Sequence, residues 1–105
     1  MSATAKDHPR FHLESELAHP VRFSIVAALA PVESIAFGEL RDELQVSDSV
    51  LSKQITELEG AGFVKAAKGF VGKRPRTTLS LTKDGLRRWR DHLANLRAIA
   101  GPPAE

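Results

Sequence analysis

Cysteine and tyrosine are absent from this 105-residue sequence, and its longest apolar run, Ile25–Val32, has only eight residues. Without cysteine the chain forms no disulfide, iron–sulfur cluster or thiolate zinc site, and it has no cysteine nucleophile. Eight apolar residues are too few to cross a bilayer, and the first residues lack the apolar segment of a secretory signal. The length is that of a single domain. These observations predict one small cytoplasmic domain without a membrane-spanning segment.

The motifs of common catalytic sites are also missing. The sequence has no glycine-rich phosphate loop and no nucleophile elbow, and its serines and threonines lack a histidine and an acid at a readable spacing. Asp42 and Glu43 are adjacent, so they lie on different faces of a predicted helix and do not flank one substrate atom. We therefore expect no enzymatic activity and no cofactor.

The four histidines raise the question of a metal site. His8 and His12 have the spacing of two ligands on one helical face, but Pro9 lies between them in a segment without periodicity. His92, on the last predicted helix, has an acidic neighbour. We expect His19 to pack beside the proline that starts the first helix and the other histidines to be solvated, so we predict no metal site.

Charge is unevenly distributed, although the formal net charge is only +2. Residues 1–59 contain 5 basic and 10 acidic side chains, whereas residues 60–83 contain six basic side chains and no acidic one. An acid-free block of this kind is a candidate contact for a polyanion such as nucleic acid. A solvated basic loop is the alternative that charge alone leaves open.

Apolar spacing and chain breakers predict a mainly α domain with a small β-hairpin, an α+β architecture. Helices are predicted over 20–29, 38–44, 48–61 and 83–100, with a short extended piece over 35–37. Alternation with period two predicts strands over 63–68 and 77–81. Because eight residues separate these strands, we expect a projecting basic loop over 69–76 instead of a tight turn. Arg22, in the first helix, is expected to contact an acid or a backbone carbonyl rather than a phosphate.

The second and third helices are joined by a three-residue turn over 45–47, which is typical of a helix-turn-helix. Ser47 is a predicted N-cap of the third helix. On a helical wheel of 48–61 an apolar face (Leu51, Ile55, Leu58) opposes a hydroxyl-rich face (Ser49, Ser52, Lys53, Thr56), and Gln54 lies nearer the apolar side. An ordinary surface helix would show the same faces, but the acid-free hairpin that follows favours entry into a DNA major groove.

Three segments occur in the order HPVRFSIVAAL (19–29), LSKQITELEGAGFV (51–64) and FVGKRPRTTLSLTKDG (70–85). Together they resemble the first helix, recognition helix and wing of winged-helix transcriptional regulators of the small MarR/ArsR-like type. The resemblance implies a winged helix-turn-helix fold in which Ser52 and Lys53 face DNA. It also implies that Lys73, Arg74 and Arg76 contact phosphates or the minor groove. This sequence has Gln54 where the family often has histidine.

We therefore predict a transcriptional regulator that binds double-stranded DNA through the recognition helix 48–61 and the basic wing 69–76. The predicted DNA-binding residues are Ser49, Ser52, Lys53, Thr56, Lys68, Lys73, Arg74 and Arg76. The alternative is a winged-helix module for protein–protein interaction without a direct role at DNA. The basic block argues against it, because protein interfaces are depleted of lysine at their centres.

The last helix carries apolar residues at the 3–4 spacing of a helix–helix seam, which predicts a dimerisation helix over 83–100. The predicted homodimer interface consists of Phe11, Leu13, Leu17, Leu86, Trp89, Leu93 and Leu96. A homodimer implies a pseudo-palindromic operator. Any effector would lie at this interface near Trp89. The remaining domain boundaries are a flexible tail over 1–10, the winged-helix domain over 11–100 and a tail over 101–105.

Overall fold

A computed structural model describes residues 7–101 of the chain. Two 3₁₀ turns, Pro9–His12 and Ser15–Ala18, precede the regular elements. These elements are α1 (Pro20–Leu29), β1 (Ile35–Ala36), α2 (Phe37–Leu44), α3 (Asp48–Gly60), β2 (Val64–Val71), β3 (Arg74–Leu81) and α4 (Lys83–Ala100). The predicted mainly α architecture with one hairpin is confirmed. Residues 1–6 and 102–105 of the two predicted tails lie outside the described residues, and Pro9 and Arg10 begin the first 3₁₀ turn.

Side-chain caps start three of the four α-helices at the predicted positions. The Ser47 hydroxyl accepts the Val50 N–H at the start of α3, at 3.1 Å. The Thr82 hydroxyl accepts the Gly85 N–H at the start of α4, at 2.8 Å. His19 packs before Pro20 as expected and has a further role, since its Nδ1 accepts the Val21 N–H of α1 at 3.2 Å. Each cap satisfies a backbone donor that the first helical turn leaves free.

The core lies between α1, α2, α3 and the base of the hairpin. Ile25, Val26 and Leu29 of α1 are almost completely buried. They pack with buried side chains from the other elements, which are Leu40, Leu51, Leu58, Phe63 and Leu79. Burying a side chain of this size contributes about 1.5–3 kcal/mol, so this cluster fixes α3 on the body of the domain.

Leu17 and Trp89 lie in this same core, although the sequence analysis placed both at a dimer interface. Leu17 is 3% exposed and Trp89 is 7% exposed. The Trp89 indole packs edge-on against the Phe23 ring with 4.9 Å between centroids. Assigning them to the interface is therefore corrected: a single chain already covers both side chains, because the N-terminal 3₁₀ turns and α1 fold together with α4.

The hairpin differs from the prediction in its length and its turn. The sheet has the strand order β1-β3-β2, and β2 and β3 pair from Val64–Leu81 out to Val71–Arg74. Only Gly72 and Lys73 remain in the turn, and Gly72 has φ +64°, as a two-residue hairpin turn requires at its first position. The predicted irregular loop over 69–76 is wrong, since these residues form the end of a continuous two-stranded ribbon. We keep the name wing for residues 69–76.

Pro75 is compatible with β3 because of its position in the ribbon. β1 pairs only with the inner end of β3, so Pro75 has β2 as its single neighbour. The Val71–Arg74 pair closes the turn and is hydrogen bonded, and pairs alternate along an antiparallel ladder. Phe70 and Pro75 therefore form a non-hydrogen-bonded pair. The proline nitrogen faces away from β2, where no carbonyl needs a donor.

Candidate nucleic-acid interface

α3 presents two faces, as the helical wheel predicts. Leu51, Ile55 and Leu58 are buried. The predicted DNA-facing side chains of the helix are all exposed, and they are Ser49, Ser52, Lys53 and Thr56. The outer face thus combines short hydroxyl side chains with one long cation, and Lys53 has no ion-pair partner within residues 7–101. A face of this kind fits closely against a groove edge without steric obstruction.

The back of α3 is fixed by a polar contact with α1. Gln54 is 7% exposed, and its Oε1 accepts a hydrogen bond from Arg22 Nη1 at 2.8 Å. Arg22 Nε in turn donates to the Glu16 carbonyl at 2.7 Å, and the Glu16 carboxylate lies 3.6 Å away. The expectation that Arg22 contacts an acid and a carbonyl is confirmed. Gln54 therefore faces the protein interior and orients α3 instead of reaching a base.

The turn between α2 and α3 spans three residues because Gln45 adopts the left-handed conformation. Its φ is 56°, and it is the one non-glycine residue of the described chain with a positive φ. The Val46 N–H donates to the Arg41 carbonyl at 3.3 Å, which closes the end of α2. Glycine or asparagine is usual at such a position, so no residue type in the sequence indicated this conformation.

Arg41 is a member of the site that the sequence analysis missed. Its Nη1 lies 2.8 Å from Asp48 Oδ1 at the start of α3, and its Nε lies 2.9 Å from Asp42 Oδ1. These two carboxylates raise the pKa of Arg41 above its ordinary value. Asp48 is the first residue of α3, beside the outer face of that helix. Its negative charge is offset there by the Arg41 guanidinium. The Arg41–Asp48 pair could not be predicted from residue spacing, because Arg41 belongs to α2 and Asp48 to α3.

The wing carries cations on both faces of its ribbon. Lys68 pairs with Thr77 on one face, whereas Arg74 and Arg76 follow the opposite face and Lys73 lies in the turn. All four cations are exposed. The only carboxylate of the described chain within 4.0 Å of any of these cations is that of Glu39, which lies 3.9 Å from Arg76 Nη2.

The wing and the start of α3 meet at one groove. It has a volume of about 320 Å³, and its walls include Phe37 and Arg41 of α2, Asp48 of α3 and Pro75 and Arg76 of the wing. The groove therefore places the first turn of α3 beside the cationic ribbon. Of the predicted DNA-binding residues only Arg76 lines this groove, and Ser49, Ser52, Lys53 and Thr56 follow Asp48 along α3.

A second surface lies where the N-terminal 3₁₀ turns contact α4. Phe11 is 64% exposed, and the Arg10 guanidinium lies 4.3 Å from the centre of its ring. The other predicted interface residues outside the core are half-buried, and they are Leu13, Leu86, Leu93 and Leu96. Ile99 adds an exposed apolar side chain that the prediction omitted.

Between these turns, α1 and α4 lies a mostly apolar groove of about 450 Å³, with Leu13, Phe23, His92 and Leu96 among its walls. His92 is 4% exposed, and its Nδ1 accepts the Glu14 N–H at 3.0 Å. The expectation that His92 is solvated is wrong. Burial lowers the pKa of His92 below its ordinary value. No cluster of three potential metal ligands occurs in residues 7–101.

No helix of the described chain is both long and apolar enough to cross a membrane.

Comparisons with known proteins agree with this geometry. A family profile described as a winged helix DNA-binding domain matches residues 21–100. An uncharacterized protein of Methanocaldococcus jannaschii is 32% identical over 65 residues, which cover 62% of this chain and 71% of that protein. The structure of a transcriptional regulator homologue from Pyrococcus horikoshii superimposes with a TM-score of 0.76 at 30% identity, covering 81% of this chain and 84% of that one.

The PcaV transcriptional regulator of Streptomyces coelicolor, solved with its natural ligand, has the same fold. It superimposes with a TM-score of 0.70 at 16% identity, and the match covers 87% of this chain and 63% of that protein. The winged-helix architecture and the non-enzymatic nature predicted from the sequence are thus confirmed, because the matching family consists of DNA-binding regulators. With the family profile extending over most of its length, the chain belongs to the winged helix DNA-binding domain family.

Proposed function

We propose that this protein is a homodimeric, cytoplasmic transcriptional regulator that binds a pseudo-palindromic operator in double-stranded DNA. The observation that carries the proposal is the groove at which the start of α3, at Asp48, meets the cationic wing, with the exposed outer face of α3 following directly along the helix. α3 has the short polar side chains that a major groove accommodates, and the wing supplies the positive charge that phosphates attract.

Within this complex the outer face of α3 enters the major groove. Lys53 is long enough to donate to the O6 and N7 acceptors of a guanine, while Ser49, Ser52 and Thr56 contact bases or phosphates at short range. The Thr56 hydroxyl already donates to the Ser52 carbonyl at 3.0 Å. Thr56 therefore offers DNA an acceptor and a methyl group, which leaves Lys53 as the main donor.

The wing contacts the backbone beside the α3 site. Lys68, Lys73, Arg74 and Arg76 lie on two faces and in the turn of a narrow ribbon, so they reach phosphates on both sides of a groove. Contacts of this kind position the protein and carry little sequence information. They make the affinity strongly dependent on salt.

Dimerisation is assigned to the surface of α4 that one chain leaves uncovered, together with the N-terminal turns. Leu86, Leu93 and Leu96 are half-buried on α4, and Phe11 is exposed beside Leu13. A two-fold axis through this surface would repeat α3 about one DNA turn, or a small multiple of it, along the duplex.

The proposal is tested by salt-dependent gel shifts on random-sequence duplex DNA. We expect the logarithm of the binding constant to fall linearly with the logarithm of the salt concentration. In the Lys73→Ala, Arg74→Ala, Arg76→Ala triple variant this slope is expected to fall by about 0.9 for each phosphate that the protein no longer neutralises. Lys83→Ala, which removes a cation from the start of α4, is the matched control. A wild-type protein that fails to bind any duplex at low salt would instead favour the protein–protein module.

A further inference from the structure

The most exposed of the large apolar side chains in the described residues lies among the cations of the wing. Phe70 is 74% exposed, the highest value of any large hydrophobic residue in residues 7–101, and its neighbour Val71 is 54% exposed. No residue of β2 after Val64 is buried. Small globular proteins usually keep phenylalanine out of water unless it has a partner.

The hairpin geometry gives Phe70 a rigid support. Phe70 is paired with Pro75 across the ribbon, and in a non-hydrogen-bonded pair the two side chains lie close together on one face. The turn begins two residues later, at Gly72. The ribbon extends about 13 Å from the level of Ala67 to its tip, at about 3.3 Å per residue. A phenylalanine backed by a proline thus stands near the tip of a narrow projection.

The charges around this pair indicate the kind of surface that it meets. Lys68 shares the face of Phe70, Lys73 lies in the turn, and Arg74 and Arg76 follow the opposite face. An apolar tip surrounded by cations fits a polyanion whose interior is apolar, and duplex DNA has this property, with phosphates outside and stacked bases within. Because the wing lies beside the start of α3, a protein whose α3 occupies a major groove places the wing at the adjacent minor groove.

We propose that Phe70, supported by Pro75, is a wedge that enters the minor groove next to the α3 site and partly unstacks one base step. This proposal rests on the proposed function. Apolar wedges of this kind kink the duplex by about 20–90°. Flexible pyrimidine–purine steps are the easiest to unstack. Phe70 therefore selects sequence through DNA deformability at a step where the protein makes no hydrogen bond to a base.

The test uses the full-length protein and the duplex that it selects from a random library. One version of the duplex carries 2-aminopurine at each step beside the α3 footprint, and another carries a donor and an acceptor dye at its ends. We expect the wild-type protein to raise the 2-aminopurine fluorescence at one step and to bring the two ends closer. Libraries selected by the wild-type protein should be enriched in pyrimidine–purine steps at that position.

Three variants separate a wedge from a general contact. Phe70→Ala should abolish the fluorescence increase, the bend and the enrichment, while the salt slope stays unchanged because the same phosphates are neutralised. Phe70→Leu should keep most of the bend, since leucine also acts as a wedge. Val32→Ala is the control at an exposed apolar position outside the wing, and it should behave as the wild-type protein does.

The outcomes distinguish this proposal from the one on which it rests. Wild-type binding to a straight duplex, or a bend that persists in Phe70→Ala, would overturn the wedge and leave the proposed function standing. Failure of the wild-type protein to bind any duplex would overturn both. Binding to vesicles of anionic lipid that Phe70→Ala loses, together with a straight DNA complex, would assign Phe70 to a membrane surface and overturn the wedge.

Discussion

Arg88 of α4 forms a bidentate ion pair with Glu14 of the N-terminal segment. Arg88 Nη2 donates to Glu14 Oε1 at 2.7 Å, and Arg88 Nε donates to Glu14 Oε2 at 3.0 Å. The same guanidinium donates from Nη1 to the Ala61 carbonyl at 2.7 Å and stacks on the Phe63 ring at 4.0 Å. One side chain therefore fixes α4 to the end of α3, and so connects the proposed dimerisation surface to the proposed recognition helix.

Replacing Glu14 by glutamine keeps its shape and removes its charge, so it should weaken this connection. We expect the free energy of unfolding at neutral pH to fall by about 1–2 kcal/mol, the contribution of hydrogen bonds to a charged group near the surface. Urea unfolding monitored by Trp89 fluorescence measures this loss. Glu16→Gln is the matched control, because Glu16 lies 3.6 Å from Arg22 and is more exposed. An equal loss in both variants would contradict a special role for the Arg88–Glu14 pair.

The same variant should change the response to acid. The hydrogen bonds from Arg88 hold the pKa of Glu14 below its ordinary value of 4.5. The resulting stabilisation is fully present above pH 4.5 and is lost as the pH falls through the lowered pKa, because the unfolded chain takes up a proton first. The stability difference between wild type and Glu14→Gln should therefore shrink in acid, which urea unfolding at a series of pH values detects.

His92 should make stability depend on pH in a separate and higher range. Burial lowers its pKa from the ordinary 6.5, so the unfolded chain binds a proton near that value and the folded chain binds it only at lower pH. Stability should decrease as the pH falls from about 7 through the lowered pKa. A protonated Nδ1 would also oppose the Glu14 N–H, which it accepts at 3.0 Å in the neutral form.

His92→Asn tests this expectation, because the asparagine Oδ1 replaces Nδ1 as an acceptor and does not titrate. The fall in unfolding free energy between about pH 7.5 and about pH 5.5 should become smaller in the variant. His12→Asn, at an exposed position, is the control for the effect of the substitution itself on stability at neutral pH. A wild-type stability that stays constant over this range would show that His92 takes up its proton equally in both states.

Helix boundaries could be predicted from the sequence, whereas the burial of His92 could not. The start of α3 follows from Ser47, because a capping residue bonds to the backbone only three positions away. The burial of His92 depends on Glu14, which is 78 positions away in the chain, and no local pattern encodes that distance. For the same reason a 3–4 apolar spacing identified α4 but did not separate fully buried residues such as Trp89 from half-buried ones such as Leu93.

The site shows the same division between local and long-range information. The outer face of α3 follows from its period, so the exposure of Lys53 and Ser52 is predictable from the sequence alone. The wing is harder to predict, because Gly69, Gly72 and Pro75 together suggest a loop. The pairing of β3 along one edge of β2 accommodates Pro75, and that topology is a property of the whole sheet.

Gly85 should tolerate no side chain, because α4 begins directly against the residue that precedes β2. A Cβ at Gly85 would overlap the Phe63 carbonyl oxygen, which belongs to the backbone and has little room to move. Gly85→Ala should therefore destabilise the protein by about 1–3 kcal/mol or more, as overpacking does. Gly60→Ala is the matched control, since no atom lies within 4 Å of its Cβ position. Gly60→Ala should leave the stability unchanged or raise it by up to about 1 kcal/mol. Thermal unfolding of both variants measures the difference between them.

Dimerisation should depend on apolar side chains that the single chain leaves exposed. Leu93→Asp places a charge in the proposed interface, where burial without a partner costs several kcal/mol, and light scattering should show a monomer. Because Leu93 also packs on the core, circular dichroism must show that this variant is folded.

Phe11→Ser is an independent test of the same interface, since Phe11 is 64% exposed. Val71→Asp, in the wing, should remain dimeric, and a monomeric wild-type protein at micromolar concentration would refute the interface.

Lys53 should read sequence while the wing supplies general affinity. It is the only long cation on the outer face of α3, and the buried Gln54 beside it is held by Arg22. Lys53→Ala should cost about 1–3 kcal/mol on the selected operator and much less on random duplex DNA, because a bidentate contact to guanine forms only at the correct base. Lys83→Ala removes the same charge outside the α3–wing surface. It should change the affinity neither for the selected operator nor for random duplex DNA. Binding titrations on both duplexes, with footprinting of a randomised library, measure the difference. An equal loss on specific and random DNA, or an asymmetric preferred site, would make Lys53 a phosphate contact instead of a base reader.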